Sequence, residues 1–71
     1  MNNKLGAQIV DFRQRKNLSQ AELGGLVGVH QTAISFIERG VNYPSVPTLL
    51  SLARALEVDV HSLFAEYHDN R

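Results

Sequence analysis

The sequence predicts an all-α domain built from five short helices. Apolar residues recur at i, i+3 and i+4 in five separate segments. A serine, histidine or aspartate precedes each of the last four segments, and asparagine or glycine closes each of the first three. No stretch alternates apolar and polar residues as a half-buried strand does. The 71 residues suffice for one domain. A chain of this size buries only about 60% of its unfolded surface. The stripes are short, so each helix depends on its neighbours more than on propensity.

The first helix is expected from about Asn3 to Lys16, with Leu5, Ile9 and Phe12 as its stripe and Val10 beside them. Gly6 inside it costs roughly 1 kcal/mol against alanine. Asn17 is a left-handed stop, and Leu18 plugs the corner. Ser19 and Glu22 have the spacing of a capping box. Leu23, Leu26 and Val27 then mark one face of a second helix, loosened by Gly24 and Gly25. Gly28 supplies the positive φ of a tight turn.

His30 stands at the cap of a third helix, where a neutral imidazole accepts less well than serine or threonine. Ala33, Ile34 and Ile37 face its core side, while Gln31, Thr32, Ser35 and Phe36 point elsewhere. Gly40 ends it after Glu38 and Arg39. The run VNYPSVP is turn-like. Ser45 caps a fourth helix, and Pro47 sits in its first turn, where a missing N–H does little harm. Leu49, Leu52, Ala53 and Leu56 form its buried face. Val58 is a plug, and Asp59 caps a fifth helix carrying Val60, Leu63, Phe64 and Tyr67, with a frayed end at 68–71.

Composition narrows the function. Without cysteine there is neither a disulfide nor a thiolate metal site. No run of about 18 apolar residues and no signal-peptide core occurs, so a soluble, cytoplasmic protein without membrane association is expected. His61 and His68 lack metal-ligand spacing, no Ser/His/Asp order stands out, and Gly24–Gly25 lacks the lysine of a phosphate loop. No enzyme activity, cofactor or metal is expected. Seven basic and seven acidic residues cancel. They are unevenly placed: Lys4, Arg13, Arg15 and Lys16 oppose only Asp11 in 1–18, while Arg54 and Arg71 oppose Glu57, Asp59, Glu66 and Asp69 in 45–71. The N-terminal side is therefore the one suited to a polyanion, with modest non-specific affinity.

The pieces LSQAEL, LVGV, AISFIERG and NYPSVPTLLSLARALEV occur in order across about Leu5 to Phe64. Together they resemble the helix-turn-helix of the lambdoid phage repressor and Cro-like family, the xenobiotic-response-element family of bacterial regulators. The resemblance implies a compact five-helix lambda-repressor-like domain spanning 1–71, with its motif at about 19–40. It also implies double-stranded DNA as partner, and regulation of transcription, most often repression.

On that resemblance, Gln31 lies at the end of the recognition helix that meets base edges, where its amide matches adenine N6 and N7. Thr32 and Ser35 share its outer edge; their bland alternative is that of exposed hydroxyls. Phe36 has two readings, contact with a thymine methyl or packing on the loop from Val41 to Pro44. Gln20, at a helix start, matches a phosphate-contacting glutamine of the family. His30, Arg39, Asn42 and Tyr43 are further phosphate candidates, and Lys4, Arg15 and Lys16 a solvated fringe. Arg13 is expected to pair with Glu38, as a structural residue first and a phosphate contact second.

The chain departs from the family pattern at Gly24, where alanine is usual, at His30, and at Ser62, where an acidic residue is common. The resemblance further implies a homodimer reading an inverted repeat, with Leu63, Phe64 and Tyr67 either at the dimer contact or closing the monomer core. No small-molecule effector domain is expected, so control falls to dimerisation or a partner protein. The competing reading is a protein-interaction module of the same fold, favoured by net neutrality and by Phe36.

Overall fold

The starts and stops written in the sequence appear as backbone geometry. The computed structural model describes residues 4–63. It contains α1 (Lys4–Arg15), α2 (Gln20–Val27), α3 (Gln31–Glu38) and α4 (Val46–Leu56), and residues 60–63 open α5. Among the described residues there is no strand. Asn3, Phe64, Tyr67 and the 68–71 end lie outside them.

The capping box before α2 is complete: Ser19 Oγ accepts from the Glu22 N–H at 2.9 Å, and the Glu22 carboxylate accepts from the Ser19 N–H at 2.8 Å. Asn17 (φ 58°) and Gly28 (φ 87°) take the left-handed conformation where the chain must reverse. Ser45 Oγ accepts from the Thr48 N–H at 3.3 Å, with proline in the first turn of α4. Asp59 Oδ1 accepts from the His61 N–H at 2.9 Å and starts α5. One left-handed residue was not expected. Glu57 closes α4 at φ 59°, a region that costs a non-glycine residue roughly 1–2 kcal/mol.

The core draws on every helix: Leu5 and Ile9 from α1, Leu23 from α2, Ile34 and Ile37 from α3, Leu49, Leu52, Ala53 and Leu56 from α4, and Leu63 from α5. Phe12, Leu18, Val27, Val29, Val58 and Val60 close its edges. Each large side chain fully buried here contributes about 1.5–3 kcal/mol of transfer free energy. α3 packs on both α1 and α2, so the core clamps it from two sides.

Two expectations about apolar residues need correction. Leu26 is 62% exposed. At about 100° per residue, Val27 and Gly24 lie to one side of Leu23 and Leu26 to the other. The core takes the side of Gly24 and leaves Leu26 in solvent. Leu63 is fully buried within its own domain, so it closes the monomer core and cannot form a dimer contact.

Gly24 is a packing requirement. A Cβ built there would lie 2.7 Å from the Val29 carbonyl oxygen, closer than real Cβ contacts come. The turn into α3 thus approaches α2 more tightly than alanine permits. At Gly25 nothing lies within 4 Å of the corresponding position.

Candidate nucleic-acid interface

The placement of α3 follows from what its inner side buries. Ile34, Ile37 and Glu38 are buried, which turns Gln31 and Thr32 out into solvent and leaves Ser35 and Phe36 half-buried at the margin. Of the four base-contact candidates, Gln31 and Thr32 are exposed, while Ser35 and Phe36 are partly covered.

The buried Glu38 carboxylate fixes this orientation. Arg13 Nε donates to Glu38 Oε2 at 2.6 Å and Nη2 to Oε1 at 3.2 Å, while Nη1 donates to the Leu18 carbonyl at 2.9 Å. The Gln20 side-chain amide adds a bond to Glu38 Oε1 at 2.9 Å. One carboxylate thereby ties α1, the α1–α2 corner and the first residue of α2 to the end of α3. Fork-to-fork bonding of this kind combines charge with geometric specificity. The expected Arg13–Glu38 pair is present.

Two of the phosphate candidates are changed by this network. Arg13 is occupied at each of its guanidinium nitrogens and its side chain is only 13% exposed. These three bonds give it the structural role and use three of its five N–H donors. Gln20 gives one amide N–H to Glu38, which orients the side chain and leaves the second N–H of the amide as a donor. No local pattern signals this bond, because the partner lies eighteen residues away.

His30 does cap α3. Its Nδ1 accepts from the Thr32 N–H at 3.0 Å and lies 3.1 Å from Thr32 Oγ1. The ring itself is exposed. At the other end of α3, the Arg39 guanidinium carbon sits 5.1 Å from the centroid of the Phe36 ring, a cation–π distance. The Val41 N–H donates to the Phe36 carbonyl at 2.9 Å, folding the following loop back on α3. Phe36 thus carries Arg39 over its ring and the following loop on its carbonyl. Arg39, Asn42 and Tyr43 are exposed beside one another after the helix.

The basic fringe is less available than its sequence suggests. Arg15 pairs with Asp11 at 3.0 Å, and Lys16 Nζ reaches Glu57 Oε1 at 2.9 Å. The Lys16 hydrogen bond and charge hold the Glu57 carboxyl below its ordinary value of 4.5. Among the described residues no group of three or more His, Cys, Asp or Glu side chains is arranged to hold a metal ion, and no helix is long and apolar enough to cross a membrane.

Several known proteins are similar to this chain in sequence and fold. The ImmF control region 10 kDa protein of Bacillus phage phi105 is 40% identical over 60 residues, covering 84% of this chain and 67% of that protein. Control protein C.SmaI of Serratia marcescens is 36% identical over 59 residues, covering 83% and 70%. The transcriptional regulator SinR of Bacillus subtilis is 35% identical over 66 residues, covering 92% of this chain but 60% of its own length. Among solved structures, the P22 c2 repressor in complex with a synthetic operator superposes with a TM-score of 0.81 at 37% identity, covering 83% of this chain and 89% of that one. The helix-turn-helix family profile matches residues 9–63, and this chain belongs to that family.

Proposed function

We propose that this chain is a sequence-specific double-stranded DNA-binding regulator of transcription, acting as a repressor in the cytoplasm. One observation carries the reading. Gln31 and Thr32 are exposed at the start of α3, with Ser35 half-buried beside them, on a helix anchored by buried Ile34, Ile37 and Glu38. Likeness to the operator-bound P22 c2 repressor and to SinR solved in complex with DNA supports it.

Gln31 reads adenine through its amide, Thr32 and Ser35 reach neighbouring base edges, and Phe36 lies at the margin with Arg39 above it. His30, Arg39, Asn42 and Tyr43 hold the phosphate backbone on either side. A homodimer places two such helices in successive major grooves, about 34 Å apart, on an inverted repeat with half-sites about 10 base pairs apart. The remaining dimer-contact candidates, Phe64 and Tyr67, lie outside the described residues. Selection of bound duplexes from a random pool tests this: an inverted repeat should emerge, and its affinity should fall steeply with salt.

A second reading, a protein-interaction module, is favoured by the charge-free stretch 40–53, which exposes Val41, Tyr43, Val46 and Leu50. SinR has also been solved with the SinI protein. The same selection separates the two, because an interaction module enriches no sequence and shows no such salt dependence.

A further inference from the structure

We propose that the Phe36 ring is a platform that holds the Arg39 guanidinium ready for a backbone phosphate, which makes Phe36 a positioning residue for DNA binding. This rests on the DNA-binding reading above and deepens it, by assigning Phe36 to the phosphate grip and not to the bases.

Two observations set this pair apart. Phe36 is an aromatic side chain outside the core: it is neither one of the buried core residues nor one of the apolar side chains packed against them. Arg39 is a cation held without an acid. Arg13 lies on Glu38, Arg15 on Asp11 and Lys16 on Glu57. Among the described residues no carboxylate or other acceptor bonds the Arg39 guanidinium. Its contact is the Phe36 ring, 5.1 Å from guanidinium carbon to centroid, within reach of a cation–π attraction.

Helical spacing creates the contact. Residues three apart are neighbours on a helix surface. Arg39 keeps right-handed helical backbone at the C-cap of α3, with its N–H on the Ser35 carbonyl at 3.0 Å. A cation held by a ring face gives up none of its N–H donors, so all five stay available to a ligand. An acid partner would take two of them, as Glu38 takes two from Arg13. Holding the long side chain beforehand also removes part of the ordering cost of binding.

The acceptor follows from position. Arg39 stands eight residues after Gln31, roughly 12 Å along the axis at about 1.5 Å per residue. The start of a recognition helix meets the base edges. The far end, with Arg39, meets the sugar–phosphate backbone, where a guanidinium pairs with two phosphate oxygens at once.

The test is a double-variant cycle read by binding: wild type, Phe36→Leu, Arg39→Ala and the double variant, each on the selected duplex and on a scrambled one. Phe36→Leu should weaken binding to both duplexes by the same factor, about two- to fivefold, the strength of one exposed cation–π contact. It should have no further effect once Arg39 is alanine, whereas a loss caused by unfolding would persist there. Arg39→Ala should lower the salt slope by about one. Phe36→Tyr, which keeps a ring, should bind as wild type does. No loss in Phe36→Leu, a loss confined to the selected duplex, or one that persists beside Arg39→Ala would overturn the inference while leaving DNA reading intact. A wild-type protein that binds both duplexes equally would overturn the sequence-specific reading, and this inference with it.

Discussion

Arg13 and Glu38, twenty-five residues apart in the chain, close a two-bond ion pair with Nε at 2.6 Å and Nη2 at 3.2 Å from the carboxylate oxygens. Both side chains are largely removed from water. Breaking one half strands the other, and a stranded buried charge costs far more than the intact pair contributes. Arg13→Ala and Glu38→Ala should each destabilise the domain by about 3 kcal/mol. The double variant Arg13→Met, Glu38→Leu should be more stable than either single one, because it leaves no unpaired charge. Urea unfolding midpoints measure this; single variants as stable as wild type would show that the pair does not hold α3.

The adjacent glycines of α2 should respond oppositely to the same change. Gly25→Ala adds a methyl into open space and removes a flexible helix position, so stability should rise by up to about 1 kcal/mol. For a domain of this size that raises Tm by about 4–8 °C. Gly24→Ala drives its Cβ onto the Val29 carbonyl, a backbone atom with no rotamer to escape into. It should cost about 1–3 kcal/mol as overpacking. Thermal melts of the two variants in one buffer check both signs.

A pH dependence follows from the bond between Lys16 and the left-handed Glu57. Lys16 holds the Glu57 carboxyl below its ordinary value in the folded state, so folding favours the ionised form. The pair's contribution is therefore present at neutral pH and lost as pH falls through the range below 4.5. Glu57→Gln should melt below wild type at neutral pH, and the gap should close in acid as the carboxyl takes up its proton. Because the carboxylate is exposed, added salt should narrow the gap at neutral pH as well. A gap unchanged by acid would assign the loss to the glutamine itself.

The local parts of this fold were readable because their causes are local. The Ser19–Glu22 box, the left-handed Asn17 and Gly28, and the Ser45 and Asp59 caps each depend on residues a few positions apart. Leu26 was misjudged because α2 has barely two turns, and periodicity marks a stripe without saying which flank the core covers. Leu63 shows the same limit, since burial within a domain and burial between subunits leave one apolar signature. The Arg13–Glu38 pair came from family likeness and not from spacing. The addition of Gln20 to that pair, and the Lys16–Glu57 bond across the corner, depend on tertiary placement that no local pattern carries.

The claim beneath the functional reading is that the exposed start of α3 discriminates between bases. The most direct measurement is the affinity of Gln31→Ala for the selected duplex, for that duplex with its contacted adenine replaced, and for unrelated DNA. Loss of one bidentate base contact should weaken binding to the selected duplex by about 1–3 kcal/mol and abolish the preference for adenine there, with binding to unrelated DNA unchanged. A uniform loss across all three, or none, would contradict the account, because Gln31 would then be a surface residue of a domain that reads nothing at that edge.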